Sequence, residues 1–454
     1  MLRHASFQQF RAPPTSTEPP DAPLFPAAMM LDIPPSDRFH RSTARSARKS
    51  PALPEDIIIG DGITQVGNRR LGDIARPGMR VVIAFTDATR FSPDRLLMGA
   101  LLSELIALGI DHDHITLLCA TGLHRPMTAA ERVAKLGDEI VGTMRIVDHD
   151  ALDREHLTRL GEIRGLPVVV NALCAEADLL LATGVVEPHQ YAGYSGGSKT
   201  IVIGCGGEAT IQATHGAGML DRPGTRLGAV DGNPFQEFVR DAGRMVGLDY
   251  VVNVLLDDDG AIIAAAAGDP DAVHDHLIAA GRGEYEIEID RPAHIVIAGV
   301  NPAKATNLYQ ASRAATYLAL SDGSPLLPGA PIILPAAIPE GAGDGLGERR
   351  FFEILASATS PTSLLSDLRA HGFPAGAQRA YILAQVLEGH PVIVVGAEHP
   401  DVVEACHMLA MPDLERGLAL AEELARARFG IIAPRPLELL IVHNALVTLP
   451  RVGG

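Results

Sequence analysis

Tryptophan is absent from the 454 residues, and cysteine occurs only four times. Cys119, Cys174, Cys205 and Cys406 lie far apart with no CxxC pair, which argues against a disulfide framework or a structural zinc site and reads as buried free thiols. Long apolar runs are missing as well. Stretches such as Leu179–Ala182 and Ala261–Ala267 fall far short of the roughly 20 residues a membrane helix needs. Basic residues are in deficit, 38 Lys and Arg against 55 Asp and Glu, for a net charge of −17. That balance argues against a general nucleic-acid binder, yet a local basic pocket for a small anion is compatible with it. A chain this long, 47% hydrophobic, accommodates two domains with substantial cores. The expectation is a soluble cytoplasmic protein with a small-molecule partner and neither membrane nor nucleic acid.

Residues 1–52 differ in composition from the rest. Eight prolines fall in the first 35 positions, followed by Arg38, Arg41, Arg45, Arg48 and Lys49 among serines. Without a continuous apolar segment this is not a secretory signal, and it reads as a disordered tail in which Met29 or Met30 is an alternative start.

Beyond the tail, apolar strand-like runs alternate with helical spacing. Met79–Phe85 leads to Asp87-Ala-Thr-Arg90, His114–Ala120 to Thr121-Gly-Leu-His124, and Asp178–Gly184 to the Glu187 segment. Alternation of this kind implies an α/β fold of largely parallel sheets. A hairpin is expected to turn at Asp259-Gly260, and a second αβ series to start at His294. The expected division is a catalytic α/β domain over 53–287, a second α/β domain over 288–430, and a C-terminal strand and tail over 431–454 returning to the first domain. The active site is expected in the cleft between the two domains.

The chemistry concentrates in Glu187-Pro-His-Gln-Tyr-Ala-Gly-Tyr-Ser-Gly-Gly-Ser-Lys-Thr200 and the Gln212-Ala-Thr-His-Gly216 that follows. His189, Lys199 and His215 place an imidazole, an amine on a glycine-rich loop and a second imidazole close together. An imidazole moves protons near neutral pH or binds a borderline metal, and an amine can carry a covalent adduct. In parallel sheets ligands bind beyond the carboxyl ends of strands, so Arg90, His124 and His189 are expected to converge there. His112 and His114 precede a strand at its amino end and read as a solvated turn, as do His274 and His276.

With Asp231-Gly-Asn-Pro234 and Leu308-Tyr-Gln-Ala-Ser-Arg313 downstream, five motifs in this order resemble the nickel-dependent lactate racemase family from about residue 55 to about residue 450. The resemblance implies a nickel pincer nucleotide, Ni(II)-pyridinium-3,5-bisthiocarboxylate mononucleotide. Lys199 matches the lysine that can bind it covalently and His215 the protein ligand to nickel, while Asp87, Thr89 and Arg90 match the stretch that meets cofactor and substrate. His124 and His189 match two acid–base residues. The α-hydrogen of a 2-hydroxy carboxylate leaves as hydride, giving a planar 2-keto acid, and each enantiomer needs its own base for the hydroxyl proton. Arg90, Gln310 and Arg313 are the expected substrate-binding residues.

Two departures bear on the substrate. Arg313 stands where lactate racemase has a lysine, and the tryptophan near its substrate has no counterpart here, which leaves room for a side chain larger than methyl. Two other readings compete with a 2-hydroxyacid racemase or epimerase. Gly193–Thr200 nearly matches the phosphate-binding loop of an NTPase, but Ile201-Val-Ile-Gly-Cys-Gly-Gly cannot continue as a helix for long. The other is a non-catalytic relative that holds the nickel cofactor without turnover.

Overall fold

A computed structural model describes residues 36–45, 50–53, 63–67, 69–257, 260–374 and 376–453. Two α/β sheets organise them. The first runs in the order Thr64–Val66, Ile262–Gly268, Tyr250–Leu256, Leu179–Val185, Val81–Thr86, Ile115–Ala120, Arg145–Asp148. Its pairings are parallel except the hairpin joining Tyr250–Leu256 to Ile262–Gly268. The expected hairpin thus forms, although Asp258 and Asp259 lie outside the described residues.

Alternation along Val81–Thr86 explains why the strand is apolar throughout. Val82 and Ala84 face one buried cluster, with helix Pro234–Val246 and helix Pro270–Tyr285, while Val81, Ile83 and Phe85 face another, with helix Asp94–Ala107. A parallel sheet covered on both faces has no polar side, which produces such runs.

The second sheet is all parallel, in the order Phe39–Ala44, Leu437–Val442, Ile295–Ala298, Ile332–Pro335, Val392–Val395, Leu409–Met411. Two expectations are corrected by it. Part of the stretch read as a disordered tail through residue 52 is the edge strand Phe39–Ala44, and residues 1–35 lie outside the described residues. Leu437–Val442, expected to return to the first domain, lies between Phe39–Ala44 and Ile295–Ala298 in the second sheet. Each strand completes its pairing with a partner hundreds of residues away, a relationship local composition cannot encode. The last strand, Leu449–Val452, pairs with Glu286–Ile289 between the two sheets in sequence.

Candidate active site

Three strands of the first sheet end side by side, and the loops leaving them build one pocket. Its walls include Asp87, Arg90, His124, Glu187, His189, Lys199 and His215, joined from the C-terminal half by Gln378.

A buried carboxylate fixes the strand ends. Asp94 opens helix Asp94–Ala107 and is fully buried; Thr86 Oγ1 donates to one of its oxygens and Thr183 Oγ1 to the other, each at 2.8 Å. Lys135 Nζ lies 2.9 Å from Asp94 and also donates to the carbonyl of Arg90 at 2.7 Å. Buried charge is tolerated when paired and hydrogen-bonded, and this pair meets both conditions. Two strands, a helix and the Arg90 loop therefore share one anchor.

On that anchor sits a second pair. Asp87 is nearly buried and accepts from His124 Nδ1 and from Thr89 Oγ1, both at 2.7 Å. Burial pushes its carboxyl up, but the His124 hydrogen bond and charge, with Thr89 and Arg90, outweigh that and hold it below its ordinary value. With Nδ1–H committed to Asp87, His124 presents Nε2 as an acceptor, on a side chain 53% exposed. The His124 loop is tied inward where Gly122 N donates to the Gly204 carbonyl at 2.8 Å.

The glycine-rich loop is required by close approach. Gly193 has φ +74°, and a Cβ there would fall 1.7 Å from the carbonyl oxygen of Ala229; at Gly196, φ +83°, it would meet Val186 Cγ2 at 2.6 Å. The loop delivers Lys199 to the pocket and continues into a five-residue π-helical turn, Thr200–Gly204. No α-helix follows Lys199, so the phosphate-binding-loop reading loses its helix. Burial, reinforced by Arg90 and opposed by Glu187, lowers the Lys199 amine to about 7.

The two histidines beyond it are neutral for the same reason. Burial, then the charges of Lys199, Arg90, His215 and Arg313, holds His189 well below its ordinary value. Its Nδ1 accepts from Ala192 N at 3.3 Å, leaving the proton on Nε2. His215, at the end of helix Glu208–His215, is lowered to about 4 by burial and Lys199. Its Nδ1 donates to the Ile211 carbonyl at 3.1 Å, so Nε2 keeps a free lone pair, the form a metal needs.

Tyr191 is wedged between these imidazoles, nearly perpendicular to both, with ring centres 5.0 Å from His189 and 5.2 Å from His215. Phe235 closes the group at 5.3 Å from His215. The Asp231–Pro234 motif serves this arrangement: Asn233 caps helix Pro234–Val246 and donates from Nδ2 to the Tyr191 carbonyl at 2.8 Å.

Gln310 and Arg313 stand together, as their spacing suggests, with Arg313 Nη1 3.4 Å from Gln310 Oε1. They lie outside the pocket wall, but the Arg313 charge reaches His189. Thr89 acts through Asp87 rather than lining the pocket. The solvated-turn reading holds for exposed His112 and His114 but not for His274, which is 1% exposed and donates from Nε2 to the Ser195 carbonyl at 2.9 Å, bracing the glycine loop. Sequence reasoning missed Asp94, Lys135, Tyr191, Phe235 and Gln378; of these, Tyr191 and Phe235 had a signal, lying within or beside quoted motifs.

Among the described residues no group of three or more His, Cys, Asp or Glu side chains could hold a metal ion unaided. A metal on His215 would need donors from a bound group. Nor is any described helix long and apolar enough to cross a membrane.

Residues 28–228 match the family profile of the lactate racemase N-terminal domain. Lactate racemase of Lactiplantibacillus plantarum is 32% identical over 372 residues, covering 80% of this chain and 84% of that protein. Lactate racemase of Thermoanaerobacterium thermosaccharolyticum is 30% identical over 384 residues, covering 82% and 86%. The structure of a lactate racemase apoprotein from the latter organism superposes with a TM-score of 0.79 at 26% identity, over 92% of this chain and 96% of that one.

Proposed function

The chain belongs to the lactate racemase family, and on that premise we propose that it racemises or epimerises a 2-hydroxy carboxylic acid with a nickel pincer nucleotide. The observation that carries the reading is one pocket lined by His124, His189, Lys199 and His215. The donor set suits the group: an amine near neutrality for the covalent link, one imidazole with a free Nε2 for nickel, and glycines that let a flat ring approach the backbone. Bound there, the cofactor supplies an acceptor and donor for the substrate α-hydrogen together with its electron pair.

The remaining chemistry belongs to this chain. His124 Nε2, oriented by Asp87, accepts the hydroxyl proton of one enantiomer. His189 serves the other face: as the imidazolium it gives its Nε2 proton to the oxygen of the 2-keto acid and returns to the neutral imidazole, and the roles exchange for the other enantiomer. Arg90 at the mouth, with Gln310 and Arg313 beyond it, orients the carboxylate. The test is loss of optical purity of chiral 2-hydroxy acids by protein made in cells that synthesise the cofactor, with nickel analysis. Replacing His124 or His189 by Ala should abolish racemisation and spare nickel; His124→Ala at wild-type turnover in both directions overturns the two-base assignment.

A further inference from the structure

Two guanidinium groups of the C-terminal half lie beside the site, and among the described residues neither has a carboxylate in its hydrogen-bonding shell. Arg313 donates to the Tyr317 phenol at 2.7 Å and to Gln310 Oε1 at 3.4 Å, with its guanidinium 5.3 Å from the Tyr317 ring centre. Arg379, 8% exposed, donates from Nη1 to Gln190 Oε1 at 3.2 Å and from Nη2 to the Tyr309 carbonyl at 2.7 Å. It stacks 4.9 Å from the Tyr309 ring centre, and its Nε has no hydrogen-bond partner among the described residues. Glu187, the carboxylate whose field reaches Arg313, stands 3.8 Å from Arg90.

Neutral oxygens and aromatic faces compensate a buried cation only partly, and two such cations near one another also repel. The arrangement is costly to the empty protein and becomes favourable when negative charge arrives. Its location tells which. Arg379 joins Gln190, next to catalytic His189, to Tyr309, next to Gln310, while its chain neighbour Gln378 lines the pocket. The cations on the cofactor side, Arg90 and Lys199, belong to the loops of the first sheet. A single substrate carboxylate neutralises one guanidinium of the C-terminal pair and leaves the other.

We propose that the substrate is a 2-hydroxy dicarboxylate, and that Arg313 and Arg379 together supply the positive charge that receives its two carboxylates. Arg313 contacts the anion. Arg379 acts from behind Gln190 and Tyr309, as a positioning residue that adds its charge to the site. The proposal rests on the reading of the pocket as a 2-hydroxyacid racemase, and binding to the cofactor-free protein separates the two.

Holoenzyme is assayed with 2-hydroxysuccinate and 2-hydroxyglutarate against lactate and 2-hydroxybutyrate. Thermal melts of cofactor-free protein with the same four acids run in parallel. The expected result is a kcat/KM for the better diacid at least tenfold above either monoacid, and a larger melting-temperature rise with diacids. Arg379→Met should bring the diacid-to-monoacid ratio close to one, acting mainly through KM, and Arg379→Lys should restore part of it. Diacids that stabilise the cofactor-free protein without being racemised would overturn the proposed reaction and leave the diacid site standing. A monoacid preference in both assays, or an Arg379→Met variant that folds with an unchanged ratio, overturns the diacid proposal and leaves Arg379 as packing alone. If Arg379→Met does not fold, the same ratio is read on Arg379→Lys, where an unchanged preference overturns it equally.

Discussion

His124 and Asp87 form a hydrogen-bonded pair at 2.7 Å in which the carboxylate is buried and half of the imidazole is open to the pocket. The carboxylate receives a second donor from Thr89, so its position does not depend on the histidine alone. An Asp87 side chain so placed holds the ring proton on Nδ1 and leaves Nε2 facing the pocket as an acceptor.

Replacing Asp87 by Asn should therefore harm proton transfer more than binding. The amide can donate to Nδ1, which moves the ring proton to Nε2 and removes the acceptor. A fall in kcat of about a hundredfold or more is expected, since positioned acid–base groups contribute about 10²–10⁴-fold. Nickel content should stay near wild type. Asp87 also gives a stability term with a definite sign. Its folded value lies below the ordinary 3.8, so the stabilisation is present above that pH and is lost as pH falls through the folded value. Acid melts of wild type and Asp87→Asn should converge at the lowest pH, and curves that diverge there would contradict the pairing.

Lys135 is expected to matter for stability through Asp94. Lys135→Met leaves a fully buried carboxylate without its cation, a loss of about 3–5 kcal/mol by analogy with other broken buried pairs. Adding Asp94→Asn should recover much of it, because no buried charge then remains. Denaturant melts of the two variants check this, and a double variant less stable than Lys135→Met would remove the ion pair from the account.

Much of this site was legible because parallel sheets put chemistry at strand ends. The runs ending at Asp87, Thr121 and Glu187 were visible as buried strands, and topology alone then requires their loops to meet. Asp94 and Lys135 were not legible, since a carboxylate at a helix start and a lysine on another helix look like surface residues until the strands lie between them. Phe39–Ala44 was missed because Phe-His-Arg-Ser-Thr-Ala has the composition of an unstructured leader; it becomes a strand by pairing with Leu437–Val442. His274 was misread for a similar reason: its burial is set by the glycine loop packed against it, with Gly197 allowing the close contact.

The depressed value of Lys199 gives a pH signature. Burial disfavours the charged amine, so the folded value of about 7 lies below the ordinary 10.5. Below about pH 7 both folded and unfolded chains carry the proton and the full penalty applies. Between about 7 and 10.5 the unfolded chain binds the extra proton, and stability contributed by this group rises with pH. Lys199→Met should consequently stabilise the cofactor-free protein at pH 6, with the gain closing as pH approaches 10. Melts at the two pH values decide it; a replacement whose effect is the same at pH 6 and pH 10 would show the amine to be solvated.

Tyr191 should be needed for its ring rather than its hydroxyl. Edge-to-face contacts are each worth about 0.5–1.5 kcal/mol beyond burial, and this ring makes one with each of two pocket histidines. Its backbone is fixed independently by Asn233, so side-chain replacement tests the ring without moving the loop. Tyr191→Phe keeps both contacts and should retain most activity and nickel. Tyr191→Leu fills the space but lets both imidazoles turn, which should lower nickel retention through His215 and kcat through His189 together. The paired loss is the informative part: a residue that only packed the core would lower the melting temperature without changing nickel per folded protein. Should Tyr191→Phe prove as damaging as Tyr191→Leu, the phenol and its partner Gln378, not the ring, would be what holds the two histidines in place.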